Sequence, residues 1–170
     1  MYITYYQSSI GTIMLASDGI KIKGLWMKGQ KNFANTIHEE VIEKKNSPIF
    51  MQTKEWLDRY FKGEKPKISE LSLEPAADGF RKDVLDILCT IPYGEITTYG
   101  EIAKKMAKKR KRKSMSAQAV GGALGYNPIS IIIPCHRVVG KNGKLTGFSG
   151  GLHKKLKLLE LEGIDMTKLK

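Results

Sequence analysis

The chain opens on strand-like apolar stretches. Tyr2 to Tyr6 and Thr12 to Ala16 have strand composition, and Ser17-Asp18-Gly19 is a turn signal. Ile20, Ile22 and Leu25 carry the pattern on to Met27, which predicts a small antiparallel sheet. From about Pro48 to Phe61 the apolar positions take helical spacing, and Gly63 is a plausible stop. Lys65-Pro66 through Glu74-Pro75 is polar and proline-punctuated. It reads as a connection between an N-terminal domain, 1–75, and a C-terminal domain, 76–170. The whole pattern predicts a mixed α/β (α+β) chain.

In the second half, Phe80, Val84, Ile87, Leu88 and Ile91 define one apolar helical face, which Pro92-Tyr93-Gly94 closes. Cys89 lies beside that face and reads as a half-buried, inert thiol. Thr98-Tyr99-Gly100-Glu101 fits a capping box, with Thr98 as N-cap and Glu101 reaching back. The helix it opens turns Ile102, Ala103 and Met106 inward. A second helix runs from about Ser116 to Gly125, so the pair reads as a helix-turn-helix. Gly121-Gly122 inside the second helix costs roughly 1 kcal/mol per glycine relative to alanine. That calls for close approach of another backbone, from the protein or from nucleic acid. Asn127-Pro128 breaks the helix, and Ile129 to Ile133 reads as a short buried strand. Val138-Val139 and Leu145 read as a hairpin about a type I′ Asn142-Gly143 turn, the wing of a winged domain. The last helix, from about Leu152, aligns Leu152, Leu156 and Leu159, with Gly163 as C-cap.

A length of 170 residues allows one or two small domains, each with its own core. No apolar run is long enough to span a bilayer. Met1-Tyr2-Ile3-Thr4 lacks the basic and apolar regions of a signal peptide, so a cytoplasmic location with reduced thiols is expected. Two cysteines are too few for a disulfide framework, and with three histidines and no Cys-x-x-Cys a zinc site is not expected. Charge changes the picture more. The net charge is +12, and residues 104–113 hold eight basic residues and no acid. The remaining 21 basic and 17 acidic residues leave only +4. Such a concentrated patch points to a polyanion, most simply nucleic acid, or else to a solvated charge run in a loop.

The candidate chemistry lies at Pro134-Cys135-His136-Arg137-Val138. A thiol beside an imidazole can be a nucleophile with its base. A thiol with pKa near 8.5 is only a few per cent thiolate at pH 7, and lowering that pKa to about 7 requires roughly 2 kcal/mol of thiolate stabilisation. Neighbours in a regular strand point to opposite faces, so His136 reaches Cys135 only if Pro134 bends the chain, or through a water. The imidazole also needs an orienting acceptor, for which Glu162 is one candidate among several.

These residues carry a resemblance. Pro134-Cys135-His136-Arg137-Val138 resembles the active-site motif of the O6-alkylguanine-DNA alkyltransferases. Ile91-Pro92-Tyr93-Gly94 through Tyr99-Gly100-Glu101-Ile102-Ala103 looks like the first helix of that family's helix-turn-helix. Ala119-Val120-Gly121-Gly122-Ala123 and Asn127-Pro128 look like its recognition helix and asparagine hinge. Gly147-Phe148-Ser149-Gly150-Gly151 resembles its binding loop, and Leu158-Leu159-Glu160-Leu161-Glu162-Gly163 its last helix. The resemblance runs from about Phe80 to Gly163, and residues 1–75 are compatible with the family's ribonuclease-H-like domain.

The resemblance implies a suicide DNA-repair protein, a methylated-DNA–protein-cysteine S-methyltransferase. Its partner would be duplex DNA containing O6-alkylguanine, with O4-alkylthymine as a further substrate to test, and no membrane. It implies a monomer that needs no metal and no organic cofactor. The recognition helix would enter the minor groove, and the damaged base would be flipped out of the stack. Cys135 would be the nucleophile, His136 its base through a bridging water, and Glu162 the group that orients His136. Asn127 would hold the hinge. Tyr99 would help rotate the nucleotide and donate to the base. Ser149 and the Val138 backbone would contact the guanine, Phe148 would shape the pocket, and Gly121 would lie at the DNA-facing surface. Two positions depart from the family pattern. Gln118 stands where an intercalating arginine is usual, and Phe148 replaces a tyrosine.

Two other readings compete. One is a non-catalytic binder of alkylated DNA, against which Cys135 itself argues. The other is a winged helix-turn-helix regulator with a structural or sensing Cys135. A cysteine hydrolase fits poorly, since no oxyanion-hole pattern is evident.

Overall fold

The computed structural model describes residues 1–170, and its contacts divide them into two compact units. The first unit is Met1–Ala76 together with Pro128–Ile132. Its sheet contains β1 (Tyr2–Ser8), β2 (Gly11–Ser17), β3 (Ile22–Met27) and the short β4 (Ile42–Glu43). The order is β3-β2-β1-β4, with β1–β2 and β2–β3 antiparallel and β4 parallel to β1. Alternation along the central strand β2 serves two apolar layers. Met14 and Ala16 pack with Ile3 and Trp26 on one face. Ile13 and Leu15, fully buried, point to the other.

The helix α1 (Pro48–Phe61) packs on β1 and β2 and buries Phe50, Trp56, Leu57 and Tyr60. Pro48 opens it, where a missing N–H costs nothing. Gly63, at φ 81°, follows its end. Gly24 has a packing role, because the Trp26 ring would lie 2.0 Å from any Cβ there. Two details differ from the sequence expectation. Ile20 is 74% exposed, since it belongs to the turn and not to β3. The two-residue β4 carries too little pattern to be foreseen.

The second unit is Ala77–Asn127 with Ile133–Lys170. Helices α2 (Gly79–Leu88), α3 (Tyr99–Lys109) and α4 (Ala117–Gly125) pack pairwise around Val84, Leu88, Ile102, Met106, Val120 and Leu124. Helices α3 and α4 form the expected helix-turn-helix. The Thr98 Oγ1 accepts the Glu101 N–H at 3.1 Å, and Ser116 Oγ caps α4 by accepting from Gln118 and Ala119. The Glu101 carboxylate takes Lys104 at 3.3 Å. The helix α5 (Leu152–Leu161) completes the unit.

Three local expectations are corrected. Ile129–Ile133 is buried but is not a strand; it runs through turns, with Ile131 at φ 70°. Val138–Val139 (β6) does not form a hairpin with Leu145, but pairs in parallel with Thr97–Thr98 (β5). The Asn142-Gly143 turn has the expected left-handed geometry, with φ 60° and 76°. Yet only the Gly140 N–H to Lys144 carbonyl bond, 2.7 Å, follows it before the chain departs, so no wing hairpin forms. Finally, the inward face of α5 carries Lys155, Leu158 and Leu159, and Leu152 is exposed. The sequence pattern missed that face because two of its members, Lys155 and the C-cap Glu162, are charged.

Candidate active site

Backbone geometry around Cys135 is set by two residues the sequence singles out. Asn127, buried just after α4, donates from Nδ2 to the Ile133 carbonyl at 2.9 Å. That bond ties together the two ends of the 128–132 excursion. Within that excursion Ser130 donates to the Leu25 carbonyl and Leu25 to the Pro128 carbonyl. Ile131 is held at positive φ, a strained conformation for a β-branched side chain that persists only where its surroundings impose it. Pro134 then bends the chain, with φ −83° and ψ 66°. Cys135–Arg137 forms a single 3-10 turn in which all three side chains are buried. The opposite-face problem of a regular strand therefore does not arise.

Glu162 is the hub of this turn. Its Oε2 lies 2.5 Å from His136 Nε2, and Arg137 donates from Nε to Oε1 at 2.7 Å and from NH2 to Oε2 at 3.2 Å. The Gly94 N–H adds a fourth donor at 3.1 Å. Arg137 also donates to the Ile91 carbonyl at 2.6 Å, so the 91–94 loop is fastened to the same network. Burial opposes ionisation of Glu162, but His136 and Arg137 outweigh it and bring its pKa down to about 2. Burial lowers the pKa of His136, against the opposing pull of Glu162, and Arg137 and Lys155 push the same way as burial. The imidazole is thus neutral at neutral pH. Because a carboxylate only accepts, Nε2 carries the proton and Nδ1 carries the lone pair of a base.

Lys155 is the buried charge that the sequence reading missed. It is fully buried on α5, and its Nζ donates to the carbonyls of Val138 at 2.6 Å and Thr146 at 2.9 Å, with Gly147 at 3.5 Å. Burial lowers its pKa to about 8, and the charge of Cys135 opposes that shift. An ammonium there favours a thiolate at Cys135 by the same attraction. It also staples the segment before Phe148 and Ser149 to the strand that follows the cysteine turn. Arg137 stands in the sequence only as part of the motif, and its grip on Glu162 has no sequence signal beyond its place beside His136.

The remaining expected residues are distributed as follows. Tyr99, the first residue of α3, is half-buried; its hydroxyl accepts from Thr146 Oγ1 at 3.3 Å, and its ring lies 3.8 Å from where a Cβ of Gly121 would be. A Cβ on Gly122 would meet nothing within 4 Å, so packing inside the protein does not demand that glycine. Ala117, Gln118, Ala119, Gly122 and Gly125 form an exposed α4 face with one long side chain, Gln118. Phe148 and Ser149 are half-buried in the loop before α5, joined to it by the Gly151 N–H to Phe148 carbonyl bond at 2.9 Å. The Val138 carbonyl accepts from Lys155 at 2.6 Å. Cys89 is half-buried, and burial and Asp86 raise its pKa, the opposite of an activated nucleophile. No group of three or more His, Cys, Asp or Glu side chains is arranged to hold a metal ion, and no helix is long and apolar enough to cross a membrane.

Comparison with known proteins places this geometry. Residues 79–164 match the family model of the 6-O-methylguanine DNA methyltransferase DNA-binding domain, and residues 1–75 match that family's ribonuclease-like domain. A Haemophilus influenzae methylated-DNA–protein-cysteine methyltransferase is 40% identical, over 96% of this chain and 87% of its own length. The chain belongs to the 6-O-methylguanine DNA methyltransferase family. A Methanosarcina acetivorans methylated-DNA–protein-cysteine methyltransferase is 43% identical over 96% of this chain and 99% of its own. Among solved structures, Mycobacterium tuberculosis OGT in complex with DNA superposes with a TM-score of 0.82 at 36% identity, covering 99% of this chain and 95% of that one. The two-domain, mixed α/β architecture expected from the sequence is that of this methyltransferase family.

Proposed function

We propose that this chain is a DNA-repair alkyltransferase that takes the O6-alkyl group of guanine in duplex DNA onto Cys135, once per molecule. The observation that carries this is the buried hydrogen bond from His136, in the same 3-10 turn as Cys135, to Glu162 at the end of α5. It gives a neutral imidazole with its lone pair on Nδ1, in the same turn as a thiol, and a lysine ammonium in the same core.

The chemistry balances without a cofactor. His136 Nδ1 takes the thiol proton, through an intervening water. The thiolate sulphur attacks the alkyl carbon, a C–S bond forms and the C–O6 bond breaks. The electron pair stays on the guanine, which is protonated as it leaves; the Tyr99 hydroxyl is the assigned donor, and the proton taken by His136 passes through water to restore it. The products are guanine and an S-alkylcysteine thioether, which no group in this core is placed to reverse. O4-alkylthymine presents the same kind of alkylated oxygen and is a second substrate to test.

Division of labour follows from placement. Residues 76–170 carry both DNA binding and chemistry in this reading. The small-residue face of α4, with Gly121 beneath and Gln118 at its start, is suited to lie in a minor groove, where bulk would hold the helix away. A base inside the stack must be extruded at a cost of a few kcal/mol, and an O6-alkylated guanine, with its pairing spoiled, costs least. Asn127 fixes the hinge ahead of Cys135. Phe148 and Ser149, with the Val138 backbone, receive the flipped base. A reduced thiol is required, which fits a cytoplasmic monomer.

Incubation with a duplex containing O6-methylguanine, followed by intact-protein mass measurement, tests the reading. The expected result is one added methyl group, absent in Cys135→Ser. An unmodified protein that still binds the lesion tightly would make it a non-catalytic binder. Equal affinity for lesion and plain DNA without mass change would make it a regulator.

A further inference from the structure

The basic run at residues 104–113 is not one thing in the folded protein. Lys109 and Arg110 turn towards α2, where Asp83 takes Lys109 at 3.2 Å and Arg110 at 3.0 Å, with Asp86 at 3.9 Å from Lys109. Arg110 also lies over the Phe80 ring, 5.5 Å from its centroid. These two cations are ties between helices. Lys104 pairs with Glu101 at 3.3 Å along the same helix. The other five, Lys105, Lys108, Lys111, Arg112 and Lys113, are exposed and form no ion pair with a carboxylate.

Three of the five converge. Lys108, Arg112 and Lys113 line an open groove of about 500 Å³ between α3 and the turn that leads into α4. Its floor is made of small residues, Gly100, Ala103, Ala107 and Ala117, which is why a groove exists there. Uncompensated like charges repel one another, so the fold carries this cluster at a cost. The occupant that removes that cost is a polyanion. One wall of the groove is the first residue of α4, whose exposed face holds only small side chains and Gln118. That face and the groove are continuous through Ala117.

We propose that this groove is a clamp for the sugar–phosphate backbone of duplex DNA, distinct from the chemistry at Cys135. Lys108, Arg112 and Lys113 in it, with the exposed Lys105 and Lys111 of the same run, supply the sequence-independent affinity. The proposal rests on the alkyltransferase reading and adds the site that holds undamaged DNA during the search for a lesion. Each phosphate neutralised contributes about −0.9 to the slope of log affinity against log salt. Five contacts therefore weaken binding roughly 500-fold between 50 and 200 mM salt.

The test is the triple variant Lys108→Gln/Arg112→Gln/Lys113→Gln, with Lys109→Gln as a comparison. Affinity for an undamaged duplex is measured from 50 to 200 mM salt. Alkyl transfer is measured from an O6-methylguanine duplex and from the free alkylated base. The triple variant is expected to lose about 2.7 from the slope, three contacts' worth. Its transfer from duplex slows in proportion, and its transfer from the free base keeps the wild-type rate. Lys109→Gln is expected to lower thermal stability and leave the slope in place. A triple-variant slope within 0.9 of wild type, about one contact, overturns the clamp while intact free-base transfer leaves the alkyltransferase reading standing. A slope change of equal size in Lys109→Gln overturns the assignment to the groove, since net charge alone would then explain it. Binding to phosphatidylglycerol vesicles that the triple variant loses, with its DNA slope unmoved, assigns the groove to membranes instead. No transfer by the wild type from either substrate overturns the alkyltransferase reading and the clamp's role in it.

Discussion

Replacing Glu162 by glutamine probes the active-site hub most directly. Four donors converge on its two carboxylate oxygens: Gly94 N–H, His136 Nε2, and Nε and NH2 of Arg137. Glutamine keeps the shape but offers one accepting oxygen and an NH2 group. If the oxygen stays with Arg137, the NH2 faces His136 Nε2 and drives the proton to Nδ1, which abolishes the base nitrogen. If the oxygen turns to His136, a buried guanidinium loses its counter-charge. Removing one partner of a buried ion pair costs about 3–5 kcal/mol. At about 2–4 °C per kcal/mol for a chain of this size, the melting temperature should fall roughly 6–20 °C. General-base assistance is worth about 10²–10⁴ in rate. The same carboxylate-to-amide change in a serine-protease triad lowers turnover about 10⁴-fold through the wrong tautomer. We therefore expect single-turnover transfer from the free alkylated base to slow at least 100-fold at a temperature where the variant is folded. The assay is the time course of intact-protein mass. A folded Glu162→Gln protein reacting within about threefold of wild type would refute the orienting role and, with it, the tautomer argument.

Other outcomes follow from the same geometry. His136 has its pKa lowered by burial, so it stays neutral in the fold below the ordinary imidazole value near 6.5, where the unfolded chain takes up a proton. Stability should accordingly fall as pH drops below about 6.5, in urea titrations, while the acid limb of the transfer rate lies below that value; an acid limb at 6.5 or above would contradict a buried neutral base. Lys155, lowered to about 8, has the reverse functional sign: its charge is lost as pH rises through 8, although loss of a buried charge relieves the fold between there and its unfolded value of 10.5. Transfer should decline above about pH 8, and that decline should vanish in Lys155→Met, at a lower plateau; a wild-type rate that climbs steadily to pH 10 would dismiss the ammonium. Asn127→Ala leaves the buried Ile133 carbonyl without its 2.9 Å donor, at a cost of about 1–3 kcal/mol, and should slow transfer as well as lower the melting temperature; a stability loss with an unchanged rate would make Asn127 purely structural. Gln118→Arg should raise transfer from duplex DNA and leave the free-base rate alone, and no change would mean that base extrusion relies on other residues.

Much of the fold was legible because its elements announce themselves by period and cap. Helix α1 opens on Pro48, Thr98 and Ser116 cap α3 and α4, and the first three strands show in their composition and in the turn at Ser17-Asp18-Gly19. Failures fall where tertiary contacts override local pattern. Ile129–Ile133 has the composition of a strand, but Asn127 pins Ile133, and the backbone bonds at Pro128 and Ser130 go to Leu25, so the run turns instead of extending. The Asn142-Gly143 turn has hairpin dihedrals without a hairpin, because β6 spends its pairing on β5. Register in α5 was misread because apolar periodicity is blind to a charged residue that faces inward, and Lys155 and Glu162 both do.

That last miss has a functional logic. A helix face of Leu158 and Leu159 flanked by Lys155 and Glu162 violates the rule that charges stay outside, and each charge is admitted only because carbonyls or cations saturate it. Glu162 fixes the tautomer of His136, and Lys155 holds the segment before Phe148 and Ser149 to the strand after Cys135. A purely structural core needs neither charge, since a buried ion pair such as Glu162–Arg137 is a weak contributor to stability compared with apolar packing. Their retention makes sense if the core is the reagent: a preorganised field around one thiol, assembled during folding so that nothing has to reorganise when the alkyl group arrives. Replacing Glu162 alone by leucine leaves the Arg137 guanidinium without its counter-charge and should lower both the melting temperature and transfer, whereas replacing Glu162 and Arg137 together should recover part of the melting temperature and leave transfer abolished.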